Sequence, residues 1–388
     1  MVRLSMMKSV KNKIFVLVLL VVWGADNVMA QEELDFSGFV SVMPSMVYVK
    51  SQDKTSFDFL VHNRINLGYQ INDKLNSKIS FRNRLFWGET VESTPIFKHL
   101  MTNDPGFLDL SFNWESRSNY LLNTNIDRLW VEYVSGDFQA KVGRQRVNWS
   151  KTMIWNPNDI FNSYSYFDFD YVERPGMDGL RLQYFTGVNS NLEAVLKVNR
   201  DNDITAAALY RSTVLGYDVQ LISGIIEKSD WIVGCGWGGD ILGAGFYGEA
   251  SYLIDREEDS KNQLLLAVGA NYMLKNSLLL STEYFYMENK GGYSGDYTSL
   301  VHAQRSIKNL SIDKHSYMLS VSWPVNPLLN ISMSYMGFGF PAFDKFYLGP
   351  TVDYSVNDNL SFSAVSQYFS FEGENESLGI YLRLKWCF

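Results

Sequence analysis

The chain has 388 residues and a formal net charge of −8; 46% of its residues are hydrophobic, 15% aromatic and 20% charged. This apolar content excludes a disordered chain, two cysteines exclude a disulfide scaffold, and the acidic balance argues against a nucleic-acid partner. A mean hydropathy of −0.12 argues against a bundle of transmembrane helices. A soluble globular protein and a membrane β-barrel, whose strands are apolar only at every second residue, both remain.

The first 30 residues have the features of a secretory signal peptide. Basic residues precede an apolar run at 14–22, and Val28 and Ala30 occupy the −3 and −1 positions of a cleavage site. A membrane anchor, the alternative, would need roughly twice this apolar length. We therefore expect residues 1–30 to be removed and residues 31–388 to form the mature protein.

Most of the remaining sequence alternates between apolar and polar residues. From Phe57 to Ile71 the odd positions are mostly apolar and the even positions mostly polar, and the segment from Leu378 to Phe388 alternates in the same way. A period of two indicates a β-strand with one apolar face, and no helical pattern of apolar residues persists.

Eighteen strands can be placed along the chain, and two kinds of connection separate them. Alternate connections are short and turn-like, whereas the others include the long stretches 88–118, 149–176, 254–262 and 289–315. An even number of strands with short turns at one end and long loops at the other predicts an all-β transmembrane barrel of about 18 antiparallel strands. Closure is required because an open sheet edge in lipid leaves backbone groups unpaired. The strands are predicted to begin near residues 36, 57, 75, 120, 138, 177, 191, 204, 217, 230, 242, 263, 278, 316, 328, 345, 359 and 378.

Aromatic residues favour a barrel over a soluble protein with two packed sheets, which would also bury alternating apolar faces. A terminal aromatic residue on the last strand, Phe388, resembles the assembly signal of Gram-negative outer-membrane barrels. We therefore expect the protein to lie in the lipid of a Gram-negative outer membrane and to be inserted by the barrel-assembly machinery through this strand. The apolar faces often end in aromatic residues, as expected at membrane interfaces: Tyr133, Tyr184, Tyr210, Tyr252, Tyr272, Trp323 and Trp386.

The polar faces of the second and third predicted strands bring basic residues together. If these strands pair across the turn at 72–74, Arg64 faces Arg82 and His62 faces Arg84. Like charges directly opposite each other destabilise a sheet. Solvation by pore water and the attraction of anions into the channel are two explanations for such a pair. The predicted basic lining of the pore comprises Arg64, Arg82, Arg84, Arg128, Lys141, Arg144 and Arg181.

The next hairpin contains an irregularity. A turn at 135–136 predicts that Glu132 faces Gln139, and simple alternation beyond it sends Arg144 outward. An arginine in hydrocarbon at the membrane midplane costs roughly 2–4 kcal/mol. We therefore predict a β-bulge or local unwinding at Gly143 that returns Arg144 to the interior.

The connection from Trp149 to Gly176 is too long and too aromatic for an idle surface loop. We predict that it folds inward as a constriction, where its carboxylates oppose the basic lining and its aromatic residues stack on sugar rings. The alternative is packing outside the barrel, as a cap or a contact between trimer subunits. The candidate constriction residues are Trp155, Asp159, Asp168, Asp170 and Glu173.

A motif near this connection resembles a known family. Gly143-Arg144-Gln145 at the end of a strand is followed by Trp149 and then by the residues Asn-Pro-Asn-Asp-Ile-Phe-Asn at 156–162. This pattern resembles the GRQ-containing porins, which include the 18-stranded alginate-export-type barrels. Ser150 departs from the family pattern, which often has glycine after the tryptophan. The resemblance implies a porin whose arginine-rich lumen passes anionic polysaccharide or other small anions.

The predicted function is passive diffusion of small hydrophilic solutes, anionic ones or sugar acids in particular, through an outer-membrane channel. A barrel with a structural or adhesive role is the alternative, and a barrel hydrolase is less favoured. We expect no enzyme, because only His62 among four histidines would face the lumen and no serine or carboxylate is identifiably placed beside it. Histidines and cysteines are too scattered for a metal site, and no cofactor is expected. Trimerisation, the solute and the direction of transport are left open.

Overall fold

The computed structural model describes residues 34–162, 165–256, 261–289, 306–339, 344–371 and 375–388. The predicted signal peptide, residues 1–30, lies outside these residues. Within them the chain forms 19 strands: β1 (Leu34–Val49), β2 (Lys54–Asn72), β3 (Leu75–Gly88), β4 (Ser111–Ser116), β5 (Tyr120–Ser135), β6 (Phe138–Gln145), β7 (Met177–Gly187), β8 (Ser190–Val198), β9 (Ile204–Val214), β10 (Tyr217–Ile226), β11 (Asp230–Ile241), β12 (Ala244–Asp255), β13 (Gln263–Met273), β14 (Leu279–Met287), β15 (His315–Asn326), β16 (Leu329–Phe338), β17 (Phe346–Ser355), β18 (Leu360–Phe371) and β19 (Asn375–Cys387).

Eighteen of these strands form a closed antiparallel barrel. β1 pairs on one side with β2 and on the other with β19, and the strands between them pair in chain order. β4 is the exception within the described chain: it pairs with residues 121–125 of β5, beyond the part of β5 that pairs with β6. The short strand therefore extends the wall where β6 ends, and the predicted barrel of 18 strands is confirmed.

Each barrel strand begins within three residues of its predicted position. The connection between β3 and β5 is different, because it contains β4 and two short helices, α1 (Glu89–Ser93) and α2 (Pro95–Thr102), that we did not predict. These elements are too short for a periodic pattern of apolar residues to reveal them. No helix in the described part of the chain is long and apolar enough to cross a membrane.

The two ends of the barrel differ, as predicted. At one end, which we call the turn end, two-residue connections join β2 to β3, β5 to β6 and β7 to β8, among others. At the opposite end, the loop end, lie the longer connections, including 146–176 between β6 and β7.

Side chains alternate between an apolar outer face and an inner face with many polar groups. Outward residues such as Leu221, Val233 and Leu319 are each more than half exposed, whereas inward Glu249 and Glu283 are buried. The predicted aromatic residues Tyr133, Tyr184, Tyr210, Tyr252, Tyr272 and Trp323 are exposed on the outer face. A second row of outward aromatic rings lies towards the loop end, where Phe346 contacts Tyr335 and Tyr368.

The first hairpin register is confirmed and the second is wrong by two residues. Arg64 faces Arg82 across β2 and β3, as predicted. Across β5 and β6, however, Glu132 faces Lys141 rather than Gln139. The difference arises because the two-residue turn lies one residue later than predicted, and moving a turn by one residue shifts each pairing across the hairpin by two. The turn therefore comprises residues 136–137, with glycine first at a φ of 56°.

The β-bulge predicted at Gly143 is also wrong, although Arg144 is buried in the interior, as the same prediction required. The register of β6 is continuous with β5 and with β7 through this residue. Gly143 instead has a φ of 115°, and a Cβ there would lie 2.2 Å from the carbonyl oxygen of Leu129. Glycine is therefore required for the close approach of two strands, directly before β6 ends.

Candidate functional site

The segment 146–176 contacts inward-facing groups of strands on opposite sides of the barrel. On one side Gln220 of β10 donates a hydrogen bond to the carbonyl of Trp149 (2.6 Å), and on the other His62 of β2 contacts Asp170 (2.7 Å). Between these points, Gln367 of β18 donates to the carbonyl of Phe167 (2.9 Å). The described parts of this segment, 146–162 and 165–176, therefore lie in the interior and not over the outer surface.

Two buried carboxylates hold the first part of this segment. Glu249 of β12 accepts hydrogen bonds from the backbone N–H groups of Lys151, Thr152 and Asn158. Glu283 of β14 accepts from the N–H groups of residues 153–155. Each carboxylate thus satisfies donors that would otherwise be buried without a partner, which costs about 1–3 kcal/mol per group.

Apolar packing fills the side of the lumen next to these carboxylates. Trp155 stacks on Phe285 of β14, with ring centroids 5.7 Å apart, and Trp149 packs edge-on against Phe161 at 4.8 Å. This apolar cluster includes buried inward residues from every strand between β8 and β18: Val195, Leu209, Ile222, Ile232, Leu253, Leu265, Phe285, Met318, Met336, Tyr347 and Phe369. We call it the dry side of the lumen.

Three cavities lined by residues that the structure describes lie on the other side, chiefly against β1 to β7. The inner cavity, of about 610 Å³, is at the turn end and is lined by residues such as Asn66, Lys78 and Trp130. The outer cavity, of about 550 Å³, is at the loop end and is lined by residues such as Pro105 and Arg200. A side cavity of about 200 Å³ lies near it, between β1–β3 and helices α1 and α2.

A cluster around Asp127 lies between the inner and outer cavities. The Oδ2 atom of Asp127 is 2.6 Å from Nη1 of Arg64 and 3.5 Å from Nη1 of Arg128, and it accepts a hydrogen bond from the Tyr171 hydroxyl at 3.1 Å. The guanidinium of Arg82 lies over the Tyr171 ring, 3.6 Å from its centroid. The segment 146–176 therefore meets β2, β3 and β5 at this cluster.

A second polar group surrounds His62. Its Nδ1 atom is 2.7 Å from Oδ2 of Asp170, and its Nε2 atom accepts a hydrogen bond from Nε of Arg82 at 3.2 Å. The expectation that no carboxylate lies beside His62 is wrong, because Asp170 comes from the distant segment. Nε2 is already an acceptor for Arg82, so it is not free to act as a general base. Burial opposes ionisation of Asp170, but His62 and the guanidiniums of Arg82 and Arg383 outweigh it and lower the pKa of this carboxyl.

The structure places the seven predicted basic residues in different surroundings. Arg64, Arg128 and Lys141 line the inner cavity, whereas Arg82, Arg84 and Arg144 line the outer cavity and Arg181 lines neither. Most of their charges are paired: Lys141 with Glu132 at 2.9 Å and Arg181 with Glu193 at 2.7 Å. Arg84 donates to the carbonyl of Met101 and to Asn123.

The predicted constriction residues are divided between the two sides of the lumen. Trp155 and Asp159 are on the dry side, where Asp159 pairs with Arg146 at 2.7 Å and burial raises the pKa of its carboxyl. Asp168 lines the outer and side cavities. Glu173 lines the inner cavity, and its carbonyl accepts a hydrogen bond from Arg128 at 2.6 Å.

Arg144 fastens the connection that contains β4 to the wall. Its guanidinium is 2.6 Å from both Asp104 and Asp178 and donates to the carbonyl of Leu108. It lies so close to Gly106 that a Cβ there would be 2.0 Å from Nη2. Arg144 thus binds residues 104–108 to β7, where β6 ends.

The carboxylates that complete these contacts were not predicted from the sequence: Asp104, Asp127, Asp178, Glu193, Glu249 and Glu283. One signal was present, because Glu283 is the only charged residue of β14 and Glu249 is the only charged residue of β12 before its last residue, Asp255. An inward acid among small and apolar residues needs a buried partner.

No family model and no curated protein matches the sequence. The fold is similar to solved structures from Pseudomonas aeruginosa. OccK7 (OpdD) aligns with a TM-score of 0.60 and 10% identity over 92% of this chain and 99% of that chain. The outer membrane protein OprD aligns with a TM-score of 0.60 and 10% identity over 92% and 93% of the two chains, and OpdQ with a TM-score of 0.60 and 10% identity over 92% and 99%.

These alignments show that the chain has the same closed 18-stranded fold. The specific resemblance to alginate-export-type barrels is not confirmed by them and stays a prediction.

Substitution of Arg144 tests its role in the wall. Arg144→Ala leaves Asp104 and Asp178 buried without a counter-charge, and removing one partner of a buried pair costs about 3–5 kcal/mol. We expect the free energy of unfolding in detergent, measured by urea titration, to fall by that amount. Arg144→Lys should also be destabilising, because an ammonium cannot reproduce the planar fork.

The matched control for Arg144 is Arg200→Ala, which removes an exposed arginine that pairs with exposed Asp109 at 3.2 Å. This substitution should change the free energy of unfolding by less than about 1 kcal/mol. Equal effects of the two alanine substitutions would contradict the assignment.

Substitution of the two buried glutamates tests how the segment is held. In Glu249→Gln with Glu283→Gln, an amide NH₂ faces backbone donors that a carboxylate now satisfies. We expect the amides of residues 151–155 to exchange hydrogen at least about tenfold faster, measured by mass spectrometry. Exchange in β12 and β14 should be unchanged, as it should be everywhere in the control Glu92→Gln. Unchanged exchange at 151–155 would show that the glutamates do not hold the segment.

Proposed function

We propose that this protein is an outer-membrane channel through which small hydrophilic solutes diffuse along the polar side of the lumen. The observation that carries the proposal is the unequal filling of the barrel. Apolar side chains pack the lumen against β8 to β18. Against β1 to β7, in contrast, cavities lined by charged residues lie towards both ends of the barrel. The likeness of the fold to the outer membrane protein OprD supports it. The apolar outer face is suited to lipid, with the turn end towards the periplasm.

We propose further that the segment 146–176 narrows this path. Tyr171 and Asp170 extend from it to Asp127 and His62 on the wall, between the cavities. A solute would therefore have to pass between these side chains and the neighbouring arginines. Weak, repeated contacts of this kind allow both entry and release.

The inner cavity favours anions or sugar acids. Its side-chain charges are those of Arg64, Lys78, Arg128, Lys141, Arg146 and Glu173. Converging basic groups in a confined space raise the local concentration of anions. The ring of Trp130, which lies 4.2 Å from the Lys141 ammonium, offers an aromatic face for a sugar.

Assembly is also part of the proposal. The backbone N–H and carbonyl of Phe388 pair with Gly38 at 3.0 and 2.9 Å, and its ring stacks on Phe36. Insertion through the last strand by the barrel-assembly machinery would place these closing contacts late. We propose that the chain reaches this machinery after cleavage of residues 1–30.

Ion selectivity in planar bilayers tests the channel and its basic cavity together. Lys78 lines the inner cavity and forms no ion pair in the described part of the chain. Lys78→Glu should lower the permeability ratio of chloride to potassium by about twofold or more in 0.1 M KCl, measured as a reversal potential across a salt gradient. The effect should shrink in 1 M KCl, because the screening length falls from about 10 Å to about 3 Å.

Lys275→Glu is the control, since it makes the same charge change on the exposed turn between β13 and β14. Its reversal potential should equal that of the unmodified protein. Absence of any conductance would refute the channel. A reversal potential that Lys78→Glu leaves unchanged would refute the anion preference alone.

A further inference from the structure

We infer that Asp127 sets the charge selectivity of the channel by neutralising Arg64 and Arg128 at the boundary between the inner and outer cavities. The inference rests on the proposed channel function. Asp127 carries the opposite charge to the predicted basic lining, so a search for basic residues in the sequence does not find it.

An irregularity in the sheet brings Asp127 into the lumen. Consecutive residues of a strand normally point to opposite faces. Here the register shifts between Ser80 and Phe81 of β3, so that Ile126 pairs with Phe81 and Arg128 pairs with Ser80. Asp127 is the extra residue of this bulge, and bulges re-aim side chains in this way. Asp127 and its chain neighbour Arg128 can therefore both face inward.

The contacts of Asp127 make it the shared partner of two guanidiniums. Its side chain is 1% exposed, and Oδ2 alone contacts Arg64, Arg128 and Tyr171. Its Oδ1 atom is buried and has no hydrogen-bond partner within the described residues. One carboxylate therefore balances two arginines, which leaves a net charge of about +1 on the group.

The position of this group decides its effect on passing ions. Arg64 and Arg128 line the inner cavity, where five basic side chains face one side-chain carboxylate. Asp127 lines the outer cavity, where seven carboxylates face five basic side chains. The Asp127 cluster is thus where a basic compartment meets an acid-rich one. A change of one charge here acts on every ion that passes between them.

Asp127→Asn tests the inference, because the amide keeps the size of the side chain and removes its charge. The two guanidiniums then lose their shared counter-charge at a site where electrostatic interactions are weakly screened. We expect the chloride-to-potassium permeability ratio to rise by about three- to tenfold in 0.1 M KCl. Adding Arg128→Gln to Asp127→Asn should bring the ratio back towards that of the unmodified protein.

Asp137→Asn is the matched control, since it removes the same charge from the exposed turn between β5 and β6 and should leave the ratio unchanged. If Asp127→Asn does not fold, Arg128→Gln alone decides the matter. This substitution leaves Asp127 with Arg64 as its one arginine partner, so the chloride-to-potassium permeability ratio must fall. An unchanged permeability ratio would overturn the inference.

The failure of the inference and the failure of the channel itself are distinguishable. Without conductance in the unmodified protein, both the channel and the role of Asp127 are refuted. A conducting protein whose selectivity is the same with Asp127→Asn as with Asp137→Asn keeps its channel and loses this role for Asp127.

Discussion

Pairing of the first strand with the last is the constraint on which the rest of the structure depends. Because β1 pairs with β19 as well as with β2, the sheet has no free edge, and the backbone groups of the wall bond to one another. Alternation then assigns every second side chain to the interior. A ring of 18 strands encloses more space than the inward side chains of its wall can fill. What fills the rest decides whether the barrel conducts.

The segment 146–176 fills the two sides of the lumen unequally. Its apolar residues and the two glutamates that hold it occupy the lumen against β8 to β18. Towards β1 to β7 it ends in polar contacts at Asp127 and His62, where the cavities remain. Many of the arginines there are paired with carboxylates, so the net charge of these cavities is the small difference between large opposing sets. A single carboxylate therefore changes the net charge of a cavity by a larger fraction than the number of arginines alone suggests.

The strands were predictable because a period of two reports directly on one apolar and one polar face, and the pairing of Arg64 with Arg82 followed from a short turn. Local backbone detail was less accessible: the two-residue turn of this hairpin begins one residue later than predicted, at Gly136, and Gly143 proved to have a positive φ rather than a bulge. Partners such as Asp178 for Arg144 and Asp170 for His62 come from other segments. No periodic pattern encodes contacts of that kind, because they depend on the three-dimensional path of the connections.

The division of the lumen into a polar side and a dry side is tested most directly by cysteine accessibility during current recording. In a Cys235→Ser, Cys387→Ser background, Asn66→Cys places a thiol at the inner cavity and Ala267→Cys places one in the buried apolar cluster. We expect a charged methanethiosulfonate reagent to lower the unitary current of the Asn66→Cys protein and to leave the Ala267→Cys protein unmodified. Equal modification at both positions, or modification at Ala267→Cys alone, would contradict it.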